Sequence, residues 1–233
     1  MGIYVGVDGK ARKVKTAYVG VDEKAEVIYK SGIVPDGYIP VYYIYNNHNA
    51  INSIDTEIKP NSFTRMILQV KFDVENGSNT YKTFAGVTNG DMTIAYWCQY
   101  GTVGFKISCG QTNYEDNITT SKTCTIDINR TANKDSYYKE DGHGEIKIFT
   151  NLNNFNNNNN IILFAGDNKG VQLYSCAIYQ SMLTGTLSKY YIPCMRISDG
   201  KVGMWEDIGK TFEPGSASDN PSYQFSNGPI IEP

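Results

Sequence analysis

The chain has 233 residues, 40% of them hydrophobic and 19% charged, with a formal net charge of -3. That balance excludes a disordered chain and a helix-spanned membrane protein, and the small acidic charge excludes a clamp for a phosphate backbone. Tyrosine (18) and asparagine (23) are over-supplied, which favours strands and turns over helices and predicts an all-β protein.

A tandem repeat opens the chain. Residues 3–15 (IYVGVDGKARKVK) and 17–29 (AYVGVDEKAEVIY) align without a gap at an offset of 14, so that Tyr4 falls on Tyr18, Gly6 on Gly20 and Asp8 on Asp22. Each unit reads as an apolar strand, a turn and a second strand, and the pair predicts a small β-meander over residues 1–30. So short a module buries little, and it needs a partner to be stable. Residues 31–40 (SGIVPDGYIP), with two prolines and two glycines, read as a linker.

From residue 41 to 233 the pattern is that of one large β domain. Residues 64–74 alternate, with Met66, Leu68, Val70, Phe72 and Val74 on one face and Arg65, Gln69, Lys71 and Asp73 on the other. Residues 102–109 and 123–130 alternate likewise, with Phe105, Ile107, Cys124, Ile126 and Ile128 inward. Further strands are predicted at 92–99, 145–150, 161–165, 171–179, 189–197 and 201–206, with a hairpin turn at Ser198-Asp199-Gly200. About ten short strands without helical periodicity mean a sandwich or barrel. The tract at 151–160 (NLNNFNNNNN) reads as an exposed loop. Five cysteines without a C-x-x-C pair read as small buried hydrophobes rather than a disulfide framework or zinc site.

The order YIPVYYI (38–44), IDTEIKPNSFTR (54–65), VQLYSCAIY (171–179) and YYIPCMRISDGKVGMWEDIGKTFEPG (190–215) resembles the concanavalin A-like, laminin-G-like jelly-roll domains. More narrowly, it resembles those of phages and prophages of Gram-positive gut bacteria, whose virion proteins also carry modules similar to the opening repeat. The resemblance implies a jelly roll, a place in the virion, other virion proteins as partners through residues 1–30, and a homo-oligomer. Within that hairpin Trp205 is expected to close the core. The carboxy-terminal stretch SASDNPSYQFSNGPIIEP is longer than the family's usual tail.

Sequence alone separates three functions. Laminarinase-type hydrolases on this fold set acidic residues at i, i+2 and i+4 of one strand, whereas Thr125-Ile126-Asp127-Ile128-Asn129 supplies one carboxylate where retaining hydrolysis needs two. His48 and His143 lie in turn-like contexts and read as surface residues. The chain is therefore expected to be no enzyme, with a glycan depolymerase kept only as the second alternative. Binding of carbohydrate by aromatic faces and amide or carboxylate groups is the leading expectation. Its candidate residues are Trp97 and Gln99, Asp127 and Asn129, and Tyr137 and Tyr138 in a following loop, while Tyr4, Gly6, Asp8, Tyr18, Gly20 and Asp22 mark the anchoring repeat. A purely structural capsid decoration or fibre protein is the competing reading. No cofactor is expected; calcium, which many laminin-G-like domains hold, would fall to Glu115-Asp116 or Glu140-Asp141, read as exposed acidic turns without a recognisable calcium loop. No nucleic acid or membrane partner is expected, and the chain is expected to be made in the host cytoplasm.

Overall fold

The structure is a computed structural model. It describes residues 4–7, 10–13, 16–21, 24–30, 34–46, 52–72, 78–87, 92–99, 102–109, 112–118, 122–129, 136–140, 146–149, 157–166, 170–180, 186–217 and 219–231. The repeat holds β1 (Tyr4–Val7), β2 (Lys10–Lys13), β3 (Thr16–Val21) and β4 (Lys24–Lys30). Then come β5 (Tyr38–Pro40), β6 (Ile44–Asn46), β7 (Ile54–Asp55), β8 (Arg65–Phe72), β9 (Ser78–Gly86), β10 (Thr93–Gln99), β11 (Thr102–Cys109) and β12 (Thr112–Ile118). The chain continues with β13 (Thr123–Asn129), β14 (Ser136–Glu140), β15 (Ile146–Phe149), β16 (Ile162–Leu163), β17 (Val171–Tyr179), β18 (Lys189–Arg196), β19 (Val202–Glu206), β20 (Thr211–Glu213) and β21 (Phe225–Asn227). Among the described residues there is no α-helix, and every strand pairing is antiparallel, so the protein is all-β.

Two sheets make up the main body. The larger runs β15-β14-β13-β8-β17-β18-β19-β20, with β5 and β6 completing the edges of β18 and β17 and β21 added to β6; the smaller runs β12-β11-β10-β9-β16-β7. Alternation explains why they face each other. On β8, Met66, Leu68, Val70 and Phe72 are fully buried, and on β13 so are Cys124, Ile126 and Ile128. Phe72 carries the contact across to the smaller sheet, its ring 6.3 Å from Phe84 and 5.7 Å from Tyr96. Phe84 then meets Phe164 at 5.1 Å and Phe164 meets Phe225 at 4.9 Å, so a chain of rings runs through the core. Each such phenyl ring contributes roughly 1.5–3 kcal/mol by leaving water.

Several expectations change. Tyr137 and Tyr138 lie in no loop: they belong to β14, which pairs with β13 and β15. Glu115 and Asp116 are not in a turn but within β12, where Glu115 pairs with Lys106 at 3.0 Å, and Glu140 is the last residue of β14, buried rather than exposed. The segment read as a linker contributes β5 to the larger sheet. Of the asparagine-rich tract, residues 157–160 are described; Asn157 donates to Pro60 and Asn160 to Asp55. Among the described residues of the repeat, β1 pairs with β2 and β3 with β4, each as an antiparallel two-stranded sheet.

The carboxy-terminal stretch is held by Asn52. Its Nδ2 donates to Pro214 (3.1 Å), its Oδ1 accepts from Ala217 N (3.0 Å), and its own carbonyl accepts from Asn46 Nδ2 (3.0 Å). Gly215 makes room, with φ +88 and a site where a Cβ would come within 2.2 Å of Asn52 Oδ1. Beyond it β21 pairs with β6, and Ile230 bridges to Val41. Truncating Asn52 leaves the part-buried Pro214 carbonyl and Ala217 N–H without their side-chain partner, so Asn52→Ala is expected to lower unfolding stability by about 2 kcal/mol in a denaturant titration.

The turn between β18 and β19 is the predicted one. Gly200 supplies φ +70, and Arg196 donates to Asp199 through Nε (3.0 Å) and Nη2 (2.6 Å). Those bonds, with help from the Lys201 N–H, hold the Asp199 carboxyl down at about 2 from its ordinary 3.8. A lowered pKa means that whatever this clamp adds is present above the ordinary carboxylate value and lost as pH falls through the folded one. An NMR titration is expected to find the Asp199 midpoint near 2, and Arg196→Ala should return it towards 3.8.

Candidate functional site

The face of the larger sheet turned away from the core carries the residues left over by alternation. Register lines up Tyr137 of β14, Asp127 of β13, Ile67 of β8, Ala177 of β17 and Tyr190 of β18 in one row. The next row holds Asn129, Arg65 and Tyr179. Arg65 donates to Asp127 Oδ1 through Nε at 2.8 Å and to Oδ2 through Nη2, a bidentate pair whose side chains are 29% and 16% exposed. The guanidinium also lies 5.8 Å from the centre of the Tyr179 ring. The hydrogen bond to Asp127 raises the Arg65 pKa above its ordinary value against the opposing pull of burial. At the end of the row, burial first and the charge of Asp207 second push the Tyr190 hydroxyl up, so it stays protonated and able to donate.

Beyond Tyr190 the same face becomes apolar. Ile192, Cys194 and Trp205 form a second cluster, separate from the main core, packed by Val34, Tyr38, Tyr190 and Phe212. Tyr38 lies 5.2 Å from both Trp205 and Phe212, Arg196 covers Phe212 at 4.9 Å, and Trp205 Nε1 donates to Asp207 at 3.2 Å. Trp205 thus closes a small core on the outer side of the sheet, not the one between the sheets. The three described cysteines, Cys124, Cys176 and Cys194, are free and buried. Burial raises the thiol of Cys176 and lifts that of Cys194 to about 12, which leaves both inert as nucleophiles at neutral pH.

Of the sequence-predicted residues, Asp127, Asn129 and Tyr137 do come together, on neighbouring strands. Asn129 is buried there, and its backbone N–H donates to Ser136 Oγ at 2.8 Å. Trp97 and Gln99 do not join them: they belong to β10 in the smaller sheet, opposite Gly104 and Thr102. Tyr138 stands opposite Ile126. The side chains of Trp97, Gln99 and Tyr138 lie outside the described residues, as do His48, His143 and Asp141. Tyr4 and Gly6 fall in β1 and Tyr18 and Gly20 in β3, while Asp8 and Asp22 lie outside the described residues.

Arg65, Tyr179 and Tyr190 were missed as site residues. Alternation in TRMILQVKFDV puts Arg65 outward, but the pairing that sets it against Asp127 spans 62 residues and has no local signal. Chemically the row offers the Asp127 carboxylate, already engaged by the Arg65 guanidinium, with Tyr137 and Tyr190 at its two ends. Among the described residues no group of three or more His, Cys, Asp or Glu side chains could hold a metal ion. Comparison with known families finds none that matches this chain, and no curated protein matches its sequence. A double-mutant cycle of Arg65→Ala and Asp127→Ala is expected to show a coupling of about 1 kcal/mol in unfolding stability, the upper range measured for exposed pairs, as suits a partly buried bidentate one.

Proposed function

We propose that this chain is a non-enzymatic bacteriophage virion protein in which residues 41–233 form a concanavalin A-like jelly roll that adheres to glycans, while residues 1–30 join it to the particle. The observation that carries the binding half is the row from Tyr137 through Asp127 to Tyr190, with Arg65 clamped on Asp127 and Tyr179 beside it. Tyrosine rings suit the apolar faces of pyranose rings, and their hydroxyls find polar partners at the rim. The paired Asp127 and Arg65 keep acceptor and donor groups spare for sugar hydroxyls while presenting no net charge. Asp127 is the only carboxylate among the described side chains that β14, β13, β8 and β17 place on this face, so the two-carboxylate requirement of retaining hydrolysis is not met by it.

A purely structural decoration or fibre protein remains the second reading. What favours it is the neighbouring pair Tyr42 and Ile230, 53% and 46% exposed beside the Val41–Ile230 bridge, a surface suited to another protein.

Binding to a glycan array and to host cell walls tests the choice. The wild-type chain is expected to bind, and Asp127→Ala and Tyr137→Ala to weaken binding by about tenfold to a hundredfold, the loss of one charge-assisted hydrogen bond or stacked ring. Trp97→Ala tests the smaller sheet; a loss confined to that variant would move the site there. Absence of binding by the wild type would leave the structural reading, and reducing ends released from host polysaccharide would instead revive the depolymerase.

A further inference from the structure

The outer face of the larger sheet carries a second group of tyrosines, which the row through Asp127 does not use. Strand β17 gives one edge to β8, and its other edge is shared end to end: β18 takes Cys176 to Ile178, and β6 takes Gln172 and Leu173. Tyr190 stands opposite Ala177 on the first stretch and Tyr45 opposite Gln172 on the second. Ile44 and Asn46, on either side of Tyr45, are buried, so Tyr45 shares the outer face with Tyr190. The two tyrosines therefore flank β17 along the same edge. Their rows cross β8 at Ile67 and Lys71, four residues apart, which is about 13 Å at about 3.3 Å per residue.

A β-bulge builds the second group. The pairing of β17 with β8 shifts register between Leu173 and Ser175, which makes Tyr174 the extra residue. Tyr174 and Ser175 thus both come to the outer face, between the fully buried Leu173 and Cys176, and re-aiming a side chain in this way is what bulges do beside binding sites. The Tyr174 ring lies 5.1 Å from that of Tyr43, which lies 6.1 Å from Tyr45, and the Tyr174 hydroxyl donates to Gln172 Oε1 at 2.9 Å. Tyr43 is seated on Gly228, where a Cβ would come within 2.5 Å of its ring. All three rings are half-buried, held in place with part of each surface open. Between the two groups the face is polar, its middle row reading Lys139, Thr125, Gln69 and Ser175.

We propose that this face binds an extended glycan chain by an internal segment lying along β17 and β8. One sugar sits at the Arg65–Asp127 pair and Tyr190, and another, further along the same chain, sits at Tyr43, Tyr45 and Tyr174. The proposal rests on the adhesion reading above and adds a ligand class to it: a polysaccharide held along its length, not a single terminal sugar. One pyranose is far too short to reach both groups, whereas a chain of several spans them. Tyrosine rings meet the apolar faces of the sugars at each end, and Gln172, Gln69, Ser175 and Thr125 offer amide and hydroxyl groups to the hydroxyls between. Once one end is held, the other group acts at the effective concentration set by the connecting sugars.

NMR titration of the full chain with a size series decides it, the probes being mono- to decasaccharides from partial hydrolysis of host cell-wall polysaccharide. Affinity is expected to rise by about tenfold to a hundredfold from the shortest members to the longest and then to level off. Tyr45→Ala and Gln172→Ala are each expected to weaken binding of the long members towards that of the short ones while leaving the short members unchanged, which also shows that the variants fold. Asp127→Ala is expected to weaken both. Affinity that does not depend on length, long members unaffected by Tyr45→Ala and Gln172→Ala, or an equal loss for short and long members in these two variants would overturn the proposal and leave the adhesion reading standing. Absence of binding by the wild type to every member would overturn both.

Discussion

Strand β8 is the constraint on which both the core and the outer face depend. It pairs with β13 on one side and β17 on the other, and its two sets of side chains lead opposite lives: Met66, Leu68, Val70 and Phe72 lie between the sheets, Arg65, Ile67, Gln69 and Lys71 on the outer face. Because the side-chain period is two, a slip of one residue would carry Arg65 and Lys71 inward and Phe72 out. Burying either cation without a partner costs several kcal/mol, and the chain of rings from Tyr96 to Phe225 would lose its link. The same register that fills the core therefore sets Arg65 beside Asp127. Geometry at the surface is inherited from packing underneath.

The tyrosine excess finds its explanation in that division. Tyr96 and Tyr191 are core residues. On the outer face Tyr137, Tyr179 and Tyr190 flank the Arg65–Asp127 pair, and Tyr43 joins Tyr174 at 5.1 Å and Tyr45 at 6.1 Å at the end where β6 meets β17. Tyr174 donates to Gln172 Oε1 at 2.9 Å, and Tyr38 closes the Trp205 cluster at the other end. A residue with an apolar body and a wet tip suits a face that is neither core nor plain solvent surface. Half-exposed tyrosine at so many positions is more than solubility requires of an outer face, where threonine or lysine would serve.

Alternation made the strand bodies legible. Residues 65–72, 102–109 and 123–129 could be assigned because apolar side chains recur every second position there, whereas in 171–179 the buried set jumps from Leu173 to Cys176 across a register shift. β9, β12 and β14 were not, since SNTYKTFAG, TNYEDNI and SYYKE carry no such pattern, and the double tyrosine of β14 reads equally well as a loop. Site residues divide the same way. Asp127, Asn129 and Tyr137 were found because the two strands follow each other in the chain, whereas Arg65 reaches Asp127 through a pairing between strands some sixty residues apart. Trp97 was placed with them by chemistry alone, and topology separates it, because β10 belongs to the other sheet.

Those features bear on how adhesion by such a face would work. Asp127 and Arg65 hold each other in a bidentate bond that leaves a sugar hydroxyl only their remaining N–H groups and lone pairs, each hydrogen bond there contributing a modest net amount because it replaces one to water. Stacking on tyrosine adds a modest further term, and a flexible glycan loses entropy when held. One face per ligand is then weak by construction. Weak faces become an effective adhesin when several are held at fixed spacing, because the second contact forms at the effective concentration set by the scaffold. A single outer face of this kind would therefore hold a glycan too loosely to act alone, and adhesion through it would need several copies engaged at once.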